Sequence, residues 1–180
     1  MKLLRNGLYL LALLFPYLII FASICIVTNI GNIMESIFNN NALYVLAVLI
    51  IIYVFALICT IIQVILNSIS QKSSKQLLFI NMIIKLVHIP AYIVIFLFGL
   101  LNLITIFTAG IAIVLMILDG MAIFLTGLIG LSGIIRGLLE KKLSPKNAFV
   151  YGVFQFIFCV DVISSIVLYK KIKKAEMSAF

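Results

Sequence analysis

The chain has 180 residues, 66% of them apolar and 10% charged, with a mean hydropathy of +1.36. A water-soluble domain is nearer half apolar and a quarter charged, so an ordinary soluble globule is excluded, as is disorder, which needs low hydrophobicity. The net charge of +8 comes from 13 Lys and Arg against 5 Asp and Glu. These basic residues sit in short runs beside apolar stretches, the placement of loops facing anionic lipid rather than nucleic acid.

A helix crosses the hydrocarbon in about 20 residues, and every backbone polar group there must be paired internally. Each long apolar run therefore reads as a helix. The expected fold is an all-α, polytopic integral membrane bundle of about five transmembrane helices in a single transmembrane domain. The first span covers residues 8–27, with Pro16 a site for a kink. Lys2 and Arg5 give it a basic start, but the run is longer than a signal-peptide core and is expected to stay in the membrane. The following loop carries Asn29, Asn32, Glu35 and Asn39 to Asn41, without Lys or Arg.

The second span is expected over residues 43–66, and the loop after it holds Lys72 and Lys75. Residues 77–137 contain almost no loop chemistry. Two spans, 77–99 and 104–133, fit them with a tight turn at 100–103. Residues 77–89 are alternatively placed along the interface ahead of Pro90. A third reading turns at Asp119–Gly120 and makes six spans in all. The last span is expected over 149–168, followed by Lys170, Lys171, Lys173 and Lys174.

The positive-inside rule places the N-terminus and the loops bearing Lys72 and Arg136 to Lys146 in the cytoplasm. Five spans then leave the four tail lysines outside. Six spans move the tail inside and the Arg136–Lys146 loop outside, so charge alone does not choose between them. Room for turns favours five. Ile is abundant (34) and Ala scarce (12), a bias of AT-rich bacterial genomes. The expected location is thus the bacterial cytoplasmic membrane, multi-pass, with a cytoplasmic N-terminus. Cys25, Cys59 and Cys159 fall in apolar runs with no metal-ligand spacing. They read as small buried hydrophobes, and neither a metal nor a cofactor is expected.

Ionisable groups inside a membrane are costly and usually face the bundle interior. Asn81, Lys85, His88, Tyr92 and Gly99 recur on one face of the third span. Ala112, Asp119, Ala122, Thr126, Gly130, Gly133 and Gly137 do so on the fourth, where Gly133 and Gly137 form a GxxxG suited to close helix packing. Tyr53, Ala56, Thr60, Gln63 and Asn67 mark the second, and Asp161 with Ser164 and Ser165 the fifth. A rise of about 1.5 Å per residue puts Lys85, His88, Asp161 and Asp119 roughly 12 to 21 Å deep, near mid-membrane. In a purely structural reading, Lys85 or His88 pairs with Asp119 and holds the third and fourth spans together.

The functional expectation is a proton- or cation-coupled transporter, or a membrane binding protein, for a small solute. Lys85, His88, Asp119 and Asp161 form its charged site, lined by Tyr92, Asn81, Gln63 and Thr126. Expected partners are the lipid bilayer, the solute or ion, and a second copy or partner subunit. The alternative is a non-catalytic accessory, assembly or immunity subunit.

Enzyme readings rest on shorter strings. Gly130-Leu131-Ser132-Gly133 resembles the GxSG around the serine of rhomboid-type intramembrane proteases, over four residues. Those enzymes need a His on a later helix, whereas His88 precedes the serine. Asp119 and Asp161 are similar to the carboxylate pair of aspartyl intramembrane proteases, without the flanking GxGD. No enzyme is expected.

Overall fold

The computed structural model describes residues 2–28, 30–69, 72–104, 106 and 108–177, without the side chains of 2–6, 8, 68 and 69. The side chains of Lys2 and Arg5, and the loop residue Asn29, lie outside the described residues. Among the described residues seven α-helices follow in order: α1 (Lys2–Thr28), α2 (Ile33–Ser36), α3 (Ala42–Ile69), α4 (Ser74–Leu103), α5 (Ala109–Leu139), α6 (Pro145–Phe154) and α7 (Val160–Met177). The chain is an all-α membrane bundle. Four helices, α1, α3, α4 and α5, contain stretches long and apolar enough to cross a membrane.

Two expectations about the long middle stretch are corrected. The turn is not at 100–103, because α4 runs through Leu103 and α5 begins only at Ala109. Nor does α4 break at Pro90 or α5 at Asp119–Gly120, so the interfacial and six-span readings are not realised. Both helices are helical at every residue, and they share the most extensive helix–helix contact in the protein. The glycines on α5 make that approach possible. A Cβ on Gly133 would sit 2.7 Å from the Leu78 side chain and 3.3 Å from the Leu78 backbone nitrogen.

The expected fifth span, 149–168, is not one helix. α6 ends at Phe154, residues 155–159 turn, and α7 runs back the way α6 came. On the way in, α6 packs along α5, with Gly152 against Leu131 and, past its end, Phe156 against Phe124. On the way out, α7 packs along α4: the Tyr169 and Phe79 rings lie 5.4 Å apart. Leu168 and Ile172 of α7 share a buried cluster with Leu78, Ile134, Leu143 and Ala148. The segment is therefore a hairpin that enters and leaves at one end of the bundle. Non-helical backbone in a membrane protein needs its polar groups paired. Here Asp161 N–H donates to the Ile157 carbonyl and Val160 N–H to that of Phe158, at 2.8 and 2.7 Å.

That geometry resolves the charge conflict. Glu176 near the end of α7 bridges Lys75 at 2.8 Å and Lys142 at 3.0 Å. Glu140 accepts from the Ser74 backbone and hydroxyl at 2.9 and 2.6 Å. Lys72 lies 5.8 Å over the Tyr9 ring of α1. Apart from Lys85, the described Lys and Arg residues all belong to segments at this one basic end. Burial alone would raise the Glu140 carboxyl. Bonds from Lys142 and Ser74 outweigh it and hold the group below the usual range.

Candidate functional site

Lys85 is wholly buried in the middle of α4. Its ammonium donates to the Asp161 carboxylate and to the Gln155 carbonyl, both at 3.0 Å. Asp161 stands in the first turn of α7, and Gln155 follows the last turn of α6. The cation thus sits at the hairpin's turn, where the C-terminal carbonyls of α6 concentrate negative potential. Around it, Asn81 donates to the Gln155 side-chain oxygen at 3.0 Å, and the Gln155 amide donates to Ser164 at 3.1 Å. Asn81, Lys85, Gln155, Asp161 and Ser164 are all buried. Gln155, which no sequence stripe singled out, is the hub of this network.

His88 is also wholly buried but belongs to a different contact. Its Nε2 lies 3.0 Å from the Leu13 carbonyl of α1, and its ring also meets the Ala12 carbonyl. A carbonyl can only accept, so Nε2 carries the proton. Nδ1 faces the Tyr92 hydroxyl at 3.3 Å. Ala12 stands four residues before Pro16, and a proline strips the carbonyl four back of its helical donor. The exchange runs both ways: Tyr17 of α1 donates to the Val87 carbonyl, in the turn preceding Pro90 of α4. Pro90 frees the Leu86 carbonyl, so the Tyr17 bond lands one residue past it, in the same turn.

Asp119 does not pair with Lys85 or His88, a correction to the sequence expectation. It is 8% exposed, and its Oδ1 has no hydrogen-bond partner. The other acids at depth or at the basic end, Asp161, Glu140 and Glu176, all contact lysines. Asp119 instead borders a cleft of about 390 Å³ between α4, α5 and the hairpin turn. The rest of the lining is apolar, including Phe96, Gly99, Met116 and Phe158. The four charged residues therefore divide: Lys85 and Asp161 close on each other, His88 serves α1, and Asp119 alone faces open space.

Of the expected lining residues, Tyr92 is buried between His88 and Phe158, its ring 5.9 Å from that of Phe158. Thr126 is buried and donates to the Ile123 carbonyl at 3.0 Å within its own helix. Gln63 is buried on α3, one turn from Asn67, which donates to the Tyr9 hydroxyl at 2.9 Å. The glycine face is an internal one. A Cβ on Gly130 would meet Gln155 and Asn81, and one on Gly137 would meet Leu143 and Ile172. Cys25 and Cys59 are buried as expected, whereas Cys159 is exposed at the hairpin turn with a φ of 62°.

The protease strings find no matching geometry among the described contacts. Ser132 donates to the Ile129 carbonyl at 2.7 Å and faces Asn67, while His88 is engaged by α1 and Tyr92. Asp161 is held by Lys85 instead of sharing a proton with Asp119. No group of three or more metal-ligating side chains occurs among the described residues.

Fold and site together define a polytopic helical membrane protein with a buried ion pair and, among the described residues, one buried acid without a cationic partner. Compared with known protein families, curated proteins and solved structures, the chain matches none of them.

Proposed function

We propose that the protein is a proton- or cation-coupled carrier of a small solute, with Asp119 as its exchanging group. The observation that carries this reading is the unpaired Asp119 carboxyl at the edge of a cleft. An uncompensated charge away from water is costly, so the group holds either a proton or a cation. Alternation between the two is the chemistry of coupled transport. The hairpin supports the reading by its position, since broken helices near mid-membrane are where carriers often place their sites. The basic end faces the cytoplasm of a bacterial cell, as the positive-inside rule directs.

The test is flux in proteoliposomes. Gradients of Na⁺, K⁺ or ethylammonium are imposed, and proton movement is read with an internal pH dye. Flux is expected with the natural chain and is abolished by Asp119→Asn. Equal flux in the variant removes Asp119 from the mechanism, and absence of flux with every cation removes the carrier reading.

A second reading, a non-catalytic accessory, assembly or immunity subunit, is favoured by the closed Lys85–Asp161–Gln155 network. That network engages Lys85 and the Oδ2 of Asp161, two of the expected site residues, in holding the fold. Co-purification of a stable membrane subunit, without flux, supports it.

A further inference from the structure

We infer that the Asp119 cleft takes an apolar organic monocation, a protonated amine on an aromatic or branched alkyl body, entering sideways from the bilayer. The inference rests on the proposed role of Asp119 as the binding group and names the class of its ligand.

Three observations combine. The first is charge. Asp119 borders the cleft, has no cationic partner, and its Oδ1 is buried without a hydrogen-bond partner. The second is the wall. Apart from Asp119 the lining is hydrocarbon and aromatic, and the Phe96 and Phe158 rings stack at 6.2 Å with 27° between their planes. A desolvated cation near aromatic faces is stabilised by their quadrupoles. The third is access. Phe96, Leu103 and Met116 border the cleft and are 52%, 57% and 70% exposed on helices that face lipid. The opening therefore lies toward the acyl chains.

This chemistry selects against bare metal cations. Ca²⁺ takes six to eight oxygen ligands and Mg²⁺ a near-ideal octahedron, and this lining offers one carboxylate. A protonated amine needs only that carboxylate, and its carbon body replaces water along the apolar wall. The size agrees, since small-molecule sites run from roughly 300 to 1,000 Å³. A second cleft, about 250 Å³ between α1, α3, α4 and α5, is largely apolar, with Ser23 and Asn102 as its polar residues, and holds no acid or base. Apolar space alone thus does not distinguish the Asp119 site; the carboxylate does.

Gly99 offers a way to fill the cleft without touching the charge. It lines the space, and a Cβ built there would meet nothing within 4 Å. Gly120 is equally open but does not line it.

The experiment uses the full chain in lipid nanodiscs and radiolabelled 4-phenylbutylamine, with empty nanodiscs as background. The uncharged 4-phenylbutan-1-ol serves as the isostere. Saturable amine binding at one site per chain is expected, with the alcohol at least about tenfold weaker. Asp119→Asn lowers amine affinity by about tenfold and leaves the alcohol unchanged. Gly99→Leu weakens both ligands, and Gly120→Leu weakens neither. Excess Na⁺ or K⁺ does not displace the amine. Equal binding of amine and alcohol, or displacement by Na⁺, overturns the inference. Should Asp119→Asn fail to fold, the amine-to-alcohol ratio and Gly99→Leu decide. Amine binding without flux leaves the inference standing and removes the carrier reading. Asp119-dependent Na⁺ flux without amine binding does the reverse.

Discussion

His88 donates from Nε2 to the Leu13 carbonyl at 3.0 Å, and Tyr17 returns the favour to the Val87 carbonyl. Two prolines, Pro16 and Pro90, each disrupt the hydrogen bonding of their own helix. From across the α1–α4 interface the imidazole and the phenol each add a donor in the disrupted turn, one residue past the carbonyl that the proline frees. An imidazole that the sequence places in the charged site thereby bonds α4 to α1.

His88→Leu is expected to destabilise the protein by about 0.5–1.5 kcal/mol, the net worth of one hydrogen bond. Tyr17→Phe should act in the same direction. Thermal unfolding in a mild detergent measures both. A His88→Gln variant that keeps Asp119-dependent flux agrees with the structural role; selective loss of flux at unchanged stability contradicts it.

Lys85 and Asp161 hold the hairpin in the bundle through one buried ion pair. Removing either partner leaves the other charge stranded, so Lys85→Met and Asp161→Leu should each cost about 3–5 kcal/mol. The double variant should recover much of that loss, because neither charge remains. Lys85 also serves the Gln155 carbonyl, so recovery will be incomplete. Unfolding midpoints of the four proteins form a double-mutant cycle, and additive losses would show that the pair is not coupled.

The glycines of α5 differ in what surrounds them. Gly130→Ala and Gly133→Ala drive a methyl group into Gln155, Asn81 or Leu78 and should cost about 1–3 kcal/mol each. Gly120→Ala, with nothing within 4 Å, should be neutral or slightly stabilising through better helix propensity. The same unfolding assay ranks them. Equal effects at all three positions would mean that α5 does not approach α4 and the hairpin closely.

A hairpin that returns predicts which side each segment occupies. In a background with the three native cysteines replaced, Lys141→Cys and Lys173→Cys should react with a membrane-impermeant maleimide from the same side. Asn40→Cys should react from the opposite side. Labelling of Lys173→Cys together with Asn40→Cys would restore a continuous fifth span.

Much of the architecture was legible before any coordinates, for physical reasons that differ by element. Hydropathy and length exposed α1, α3, α4 and α5, since lipid demands long helices with paired backbones. Periodicity exposed their inner faces. Asn81, Lys85, His88 and Tyr92 of α4 are all buried, as are Asp119, Thr126, Gly130, Gly133 and Gly137 of α5. The hairpin was not visible because residues 149–168 contain neither Pro nor a second Gly to mark the turn. Its trace was indirect: a fifth span put four lysines on the wrong side. Gln155 carries no sequence signal, because a lone amide in an apolar run has no periodic partners on its own helix.

The amino-acid order alone determined the solvent, the helical class and which side chains must avoid lipid, because the cost of exposing polar groups to hydrocarbon acts residue by residue. Which buried groups meet was decided only in three dimensions. Lys85 could have joined Asp119 or Asp161, and the choice fell to the chain reversal at 155–159. That reversal brings the Asp161 carboxylate and the Gln155 carbonyl to one ammonium and leaves Asp119 facing open space.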